Sequence, residues 1–113
     1  MTLSKKYQLI MSDDAKKDVS QIKRDSLKQW GKLGRRKYIS QLNSKLIKLA
    51  VHPAIGPAND ELGNQIRLLS SGSHYIVYEI IGESVYVNRV LHMGMDIERS
   101  LRLDKQKKRT LER

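Results

Sequence analysis

The sequence predicts a small single-domain α+β fold, in which an antiparallel β-sheet packs against an N-terminal helical hairpin. The chain has 113 residues, which is enough for one hydrophobic core. In its N-terminal half, apolar residues recur every three to five positions, as they do on amphipathic helices. In its C-terminal half, His74–Ile81 and Ser84–Leu91 alternate their side chains with the period of strands. The sheet is expected to combine one N-terminal strand with three C-terminal strands.

The first strand is predicted at Tyr7–Met11, a short apolar run. Ser12 follows as a helix N-cap, and Asp13 and Asp14 supply acidic side chains to the first turn. The first helix then carries one apolar stripe, with cations on the rest of its surface. The stripe consists of Ala15, Val19, Ile22, Leu27, Trp30 and Leu33.

Gly31 and Gly34 are predicted to break this helix, and a second helix runs from about Arg35 to Val51. The inner side of the second helix consists of Tyr38, Ile39, Leu42, Leu46, Leu49 and Ala50. Because the connection is short, the two helices are expected to form an antiparallel hairpin. We interpret Trp30 as a packing anchor of this hairpin rather than as an exposed contact.

Both prolines of the chain lie in His52–Pro57, which is therefore predicted to be a loop. A strand is predicted at Gln65–Leu69, and Ser70–Ser73 bends the chain into the strand pair that Gly82 and Glu83 connect. In the last strand, Val85, Val87 and Arg89 are predicted to face away from Tyr86, Asn88 and Val90.

The C-terminal part is divided into a short helix and a basic tail. The helix is predicted at Asp96–Leu103, because Ile97 and Leu101 lie one turn apart. The domain is assigned to residues 1–101, and residues 102–113 are assigned to the tail.

Composition excludes several classes of function. The chain has no cysteine, which removes disulfides and thiolate chemistry and indicates a reducing, cytoplasmic location. It lacks the roughly 20 consecutive apolar residues of a membrane span, so no membrane partner is predicted. Three scattered histidines do not form a recognisable metal set, and there is no glycine-rich phosphate loop. No metal and no cofactor is therefore predicted.

The net charge of +10 is unevenly distributed. Residues 1–52 hold 13 Lys and Arg against 4 Asp and Glu, whereas residues 53–98 hold 2 against 6. Two interpretations stay open at this point. In the first, the cations lie on ordinary solvated helix faces and only keep the protein soluble. In the second, they bind an acidic partner such as nucleic acid, a nucleic-acid enzyme or an acidic peptide.

His74 begins one predicted strand and Arg89 and His92 end its neighbour, so these three side chains are expected to lie toward one edge of the sheet. Cleavage of RNA by a 2′-hydroxyl needs an acid, a base and a cation for the phosphorane. His74 and His92 are the candidates for proton transfer, and Arg67 and Arg89 are the candidates for the cation. Each also has a structural interpretation, in which the imidazoles brace the backbone and the arginines cover apolar surface.

Four segments, in this order, resemble the ParE branch of the ParE/RelE toxins of bacterial toxin–antitoxin systems. They are QWG followed by RRKYISQL within Gln29–Leu42, LAVHPAIGPANDEL at Leu49–Leu62, IRLLSSGSHYIVYEI at Ile66–Ile80, and VYVNRVLHMGMDIERSL at Val85–Leu101. The resemblance implies that residues 1–101 form a ParE/RelE-like toxin domain. It also implies a non-enzymatic toxin that inhibits DNA gyrase, that contacts DNA indirectly through gyrase, and that a cognate antitoxin protein neutralises.

The residues expected to bind the target or the antitoxin are chosen by position and charge. They are Arg67, Arg89, His92, Met93, Asp96, Lys16, Lys23 and Lys45. The antitoxin is expected to be an acidic amphipathic segment lying across the hairpin and along the exposed face of the sheet.

Two alternatives stay open. One is a RelE-like, ribosome-dependent mRNA endoribonuclease that uses Arg67, Arg89, His74 and His92, although no Tyr follows His92 as that branch would suggest. The other is a basic DNA-binding module, which rests on charge alone.

Overall fold

The computed structural model of the protein describes residues 6–63 and 65–102. Strand β1 (Gln8–Met11) is followed by the helical segment α1 (Asp13–Val51) and then by strands β2 (Arg67–Ser71), β3 (His74–Ile81) and β4 (Ser84–His92). This is the α+β domain that the sequence predicts. Within the described ranges, no helix has the length and apolar character needed to cross a membrane.

The helical segment is a hairpin broken at a single residue, Gly31. Gly31 has φ 75° and ψ −174°, which only glycine adopts readily, so α1 is divided into a first arm, 13–30, and a second arm, 32–51. Ser12 caps the first arm by accepting a hydrogen bond from the Ala15 amide at 2.9 Å. The predicted break at Gly31 is confirmed, whereas Gly34 lies inside the second arm.

The sheet has the strand order β1-β4-β3-β2 and is mixed, not wholly antiparallel. β2 pairs with β3 and β3 with β4 in antiparallel register, as predicted, but β1 runs parallel to β4. The expectation of an antiparallel N-terminal strand is therefore wrong. Parallel pairing requires a long connection between the two strands, and here α1, β2 and β3 all lie between β1 and β4 in the chain.

A β-bulge in β4 reverses the predicted side-chain alternation. Val77 pairs with Arg89 while Tyr78 pairs with Val87, so Asn88 is an additional residue. Val90 consequently packs in the same buried cluster as Val87, instead of on the opposite face. The prediction that Val90 opposes Val87 is wrong because a bulge adds one residue to a period of two.

The larger core lies between the hairpin and one face of the sheet. Its buried residues include Ala15, Ile22, Leu42, Leu46, Leu49, Ile76, Tyr78, Val85 and Val87. Both arms contribute to it, which holds the hairpin flat against the sheet.

The opposite face of the sheet is also covered, by a short helix at residues 97–102. Leu101 is buried there with Ile66, Val77 and Leu91. The predicted C-terminal helix is present, and its far end, with residues 103–113 of the basic tail, lies outside the described residues.

Candidate functional site

Four aromatic rings form a continuous ladder from the end of the hairpin to the end of β4. The ring centroids are 5.3 Å apart from Trp30 to Tyr38, 5.6 Å from Tyr38 to His74, and 5.3 Å from His74 to His92. The ladder forms one wall of a cleft of about 440 Å³, which Asp25, Gln29 and Ser73 also line. A cleft of this volume fits one small planar group or one side chain of a partner.

Tyr38 organises the middle of the ladder. Its hydroxyl oxygen accepts a hydrogen bond from the Ser73 amide at 2.9 Å and lies 2.5 Å from Nδ1 of His74. The Ser71 carbonyl is farther away, at 3.2 Å. We therefore infer that the Tyr38 hydroxyl donates its hydrogen bond to Nδ1 of a neutral His74, whose own proton is on Nε2.

The electrostatics of the cleft favour the neutral imidazole of His74. Burial, with a smaller contribution from His92, lowers the pKa of His74, while Asp25 and Asp18 act in the opposite direction. Nδ1 of His92 accepts a hydrogen bond from the Gly94 amide at 3.0 Å, which fixes that ring against the turn after β4. The predicted meeting of His74 and His92 is present, and each ring also braces the backbone or Tyr38.

Gly34 allows Trp30 to take its place at the end of the ladder. A Cβ added at Gly34 would lie 2.2 Å from Cβ of Trp30, which no side chain at position 34 can accommodate. Trp30 packs on Tyr38 as predicted, but it is 48 % exposed, so the expectation that it is not an exposed contact is wrong.

Arg89 is tied to the hairpin. Its Nε and one terminal nitrogen donate to the two carboxylate oxygens of Asp18 at 2.7 and 2.9 Å, and the Val90 amide donates to Asp18 at 2.9 Å. The two side chains are 18 % and 15 % exposed. This bidentate pair joins the bulged part of β4 to the first arm.

Arg67 lies away from the cleft, at the other end of β2. It donates to the Gly56 carbonyl at 2.7 Å and more weakly to the Ala54 carbonyl at 3.4 Å. The same loop is held by Tyr78, whose hydroxyl donates to the Pro53 carbonyl at 2.6 Å and accepts from the Gly56 amide at 2.9 Å. Burial raises the pKa of this phenol.

The turn after β4 presents the remaining predicted contacts. Met93 is 40 % exposed, and its amide donates to the Ser73 carbonyl at 2.9 Å. Asp96 begins the C-terminal helix, because its carboxylate accepts from the Arg99 amide at 3.1 Å. Asp96 therefore has a structural role as a cap in addition to the predicted role in binding.

A basic groove of about 710 Å³ lies along the hairpin. We define the basic groove by its charged residues Lys23, Lys32, Arg35 and Arg36 and its apolar residues Ile39 and Ile47. Of the three lysines predicted as antitoxin contacts, Lys23 lines this groove, whereas Lys16 and Lys45 lie elsewhere on the arms.

The structure thus divides the predicted site residues among several places. Tyr38, Asp25 and Gln29 line the cleft but were not predicted as site residues. Tyr38 carried a signal, because a tyrosine on the inner side of a helix needs a partner for its hydroxyl. Asp25 and Gln29 had no such signal in the sequence, since exposed polar residues of a helix are common.

In the described parts of the chain, no group of three or more His, Cys, Asp or Glu residues could hold a metal ion.

Comparison with protein families gives one match over most of the domain. A family model described as the ParE toxin of the type II toxin–antitoxin system, parDE, matches residues 9–97.

Relatives of known name are similar over most of their length. The chain is 34 % identical over 100 residues to Toxin ParE1 of Mycobacterium tuberculosis strain H37Rv, which covers 88 % of this chain and 100 % of the relative. It is 33 % identical over 86 residues to Toxin ParE1 of Caulobacter vibrioides, covering 76 % and 88 %.

A solved structure has the same fold. A chain from the chromosomal ParDE TA system of P. aeruginosa superposes with a TM-score of 0.68, covering 79 % of this chain and 98 % of that one. The sequence identity is 14 %, so this likeness concerns the fold alone.

Proposed function

The chain belongs to the ParE family of toxins of type II toxin–antitoxin systems, and on that premise we propose that it inhibits DNA gyrase by binding, without catalysis of its own, and that a cognate antitoxin protein neutralises it. The family match over residues 9–97 is the observation that carries the proposal. DNA is then contacted through gyrase.

The separation of the candidate catalytic residues supports binding over RNA cleavage. An endoribonuclease needs its proton-transferring groups and its phosphorane-stabilising cation around one phosphate. His74 and His92 share the cleft, but Arg67 is at the far end of β2 and Arg89 pairs with Asp18. Among the described residues that line the cleft, none is a lysine or an arginine.

The first experiment is a gyrase assay with the purified full chain. We expect loss of supercoiling and accumulation of cleaved DNA, while mRNA in a parallel translation reaction stays intact. Cut mRNA with unaffected gyrase would transfer the protein to the RelE-like alternative, and the double variant of His74→Gln and His92→Gln would then be the next test.

We assign the gyrase contact to the exposed turn that begins with His92 and contains Met93 and Asp96. Two variants separate binding from folding there. Met93→Ala removes exposed apolar surface, and Asp96→Asn removes a charge but keeps an oxygen that can cap the helix. Both are expected to weaken gyrase inhibition with an unchanged free energy of unfolding. Full inhibition by both variants would remove this turn from the contact.

We assign the antitoxin to the basic groove. Four cations around the apolar side chains Ile39 and Ile47 fit an amphipathic segment with an acidic polar face. Ile47 is 62 % exposed, and covering it would remove apolar surface from water.

Charge reversal tests this assignment. The double variant of Arg35→Glu and Arg36→Glu should weaken binding of the cognate antitoxin strongly, because repulsion replaces attraction inside the groove. Lys6→Glu combined with Lys17→Glu is the matched control, since it makes the same change of charge at exposed residues outside the groove that are not predicted contacts. Equal losses of affinity from the two pairs would indicate general charge attraction without a groove-specific site.

A further inference from the structure

The connection between the two arms presents an aromatic side chain within a stretch of sequence that is rich in lysine and arginine. Trp30, the only tryptophan of the chain, is 48 % exposed and is part of the walls of two concavities. One is the cleft of about 440 Å³, and the other is a pocket of about 290 Å³ that Lys37, Tyr38 and Gln41 also line. A planar ligand can therefore reach the indole ring from solvent.

Cations are frequent in the sequence on both sides of this tryptophan, and one of them, Lys37, lines the pocket of about 290 Å³ together with Trp30. We define the hairpin tip as residues 23–37, which contain seven Lys and Arg side chains and one carboxylate, that of Asp25. The cations are Lys23, Arg24, Lys28, Lys32, Arg35, Arg36 and Lys37. Such a density of positive charge attracts a polyanion of regularly spaced charges.

We propose that the hairpin tip binds single-stranded nucleic acid, with an unpaired base stacked on Trp30 and the adjoining phosphates on the cations of the tip. Base stacking on an aromatic side chain combined with a basic path for the backbone is how proteins hold single strands. The cleft beside Trp30 adds the amide of Gln29 and the carboxylate of Asp25, which can hydrogen-bond the edge of a base.

The shape of the site favours a nucleobase over other anionic partners. A membrane surface binds a convex apolar patch, whereas Trp30 is a wall of two concavities. An acidic amphipathic helix needs apolar contacts such as Ile39 and Ile47 of the basic groove, which shares four of its cations with the hairpin tip but does not include Trp30. A DNA duplex keeps its bases stacked on each other and offers none to Trp30. The inference is independent of gyrase inhibition.

The test uses the full chain and a fluorescein-labelled strand of twelve deoxythymidines. We expect binding in low salt that weakens as the salt concentration rises, accompanied by quenching of the single tryptophan's fluorescence. Trp30→Ala should raise the dissociation constant at least about fivefold, and Trp30→Phe should have an intermediate effect because a flat ring remains. Circular dichroism verifies that each variant is folded. If Trp30→Ala does not fold, the affinity of Trp30→Phe is used for the test.

Charge variants separate the phosphate contacts from general attraction. Lys37→Gln should lower the slope of log affinity against log salt by about 0.7, the value for one lost contact to a single-stranded phosphate. Lys17→Gln is the matched control, since Lys17 is exposed on the first arm and lines none of these concavities, and it should leave that slope unchanged.

Four results would overturn the proposal. They are an unchanged affinity in both Trp30 variants, equal affinity for the corresponding duplex, preferential binding of vesicles of anionic phospholipid or of polyglutamate over the strand, and no binding to the strand at any salt concentration. Tryptophan quenching by the strand, with the expected order of the variants, would establish the site.

Discussion

Tyr78 connects the sheet to the loop after the hairpin through one hydroxyl group, which bonds the Pro53 carbonyl and the Gly56 amide. Tyr78→Phe leaves that buried amide without its partner, so we expect the free energy of unfolding to fall by about 1–3 kcal/mol in urea denaturation. Tyr75→Phe is the control, because within the described chain no hydrogen bond is found for the Tyr75 hydroxyl. An equal loss in both variants would contradict this role of Tyr78.

His74 makes stability depend on pH. Its pKa in the folded protein is lowered below 6.5, mainly by burial and then by His92, so the unfolded chain binds its proton more readily. The imidazole also faces Tyr38, and the carboxylates of Asp25 and Asp18 only partly offset the lowering. The contribution of His74 to the free energy of unfolding is therefore expected to be fully present above pH 6.5. It should be lost as the pH drops from 6.5 toward the lowered pKa of the folded state.

The measurement for His74 is the free energy of unfolding in urea at a series of pH values between 5 and 8. His74→Gln should show a smaller decrease on acidification than the parent chain, since the group that takes up the proton is gone. His52→Gln, which changes an exposed histidine at the end of the second arm, serves as the control. An identical pH dependence in the parent and in His74→Gln would refute the assignment.

At the scale of elements, the hairpin depends on the backbone of Gly31. Its φ of 75° and ψ of −174° are open to glycine only, and a Cβ there would meet no atom within 4 Å. Gly31→Ala is therefore expected to cost about 1–3 kcal/mol through backbone strain alone. Urea denaturation measures the cost, and Lys32→Ala, next in the chain, is the control. A neutral Gly31→Ala would mean that the arms can connect through another conformation.

Much of this architecture could be predicted from local patterns. Ser12 is a cap with acidic neighbours, Gly31 interrupts an amphipathic period, and His74–Ile81 alternates as a strand does, so each signal is contained in a few adjacent residues. The parallel pairing of β1 and the additional residue Asn88 were not predictable in this way. Pairing direction and bulges are fixed by strands distant in sequence, which periodicity does not describe.

At the scale of the whole molecule, local sequence patterns also fail to predict those contacts of the candidate site that join residues distant in sequence. Arg89 and Asp18 are 71 residues apart in sequence, so nothing local indicated that the guanidinium joins the sheet to the hairpin. The count of charges singled out Arg67 and Arg89 as the two cations of residues 53–98, but it did not indicate that Arg89 bonds the Asp18 carboxylate or that Arg67 donates to loop carbonyls. The cleft could be predicted only in part, because His74 and His92 lie at strand ends that pair with each other, whereas Tyr38 comes from a helix.

The net charge of +10 gives the last prediction, which concerns the free protein. Mutual repulsion among the cations opposes the compact state, and salt screens it, so added sodium chloride should raise the melting temperature. For a domain of this size, a gain of about 1 kcal/mol in the free energy of unfolding corresponds to a rise of several degrees in the melting temperature. Differential scanning fluorimetry between low and moderate salt measures the shift.

Two triple variants with the same net charge locate the repulsion. Lys32→Gln, Arg35→Gln and Arg36→Gln together neutralise the densest part of the hairpin tip, whereas Lys6→Gln, Lys16→Gln and Lys17→Gln neutralise cations far from it. Because repulsion grows as charges approach one another, the tip variant should melt higher in low salt and respond less to added salt than the control variant. If the two variants respond equally, the repulsion belongs to the total charge, and the crowding of cations at the tip has no energetic consequence in the free protein. A melting temperature that falls with salt would instead mean that attractive pairs such as Arg89 with Asp18 outweigh the repulsion.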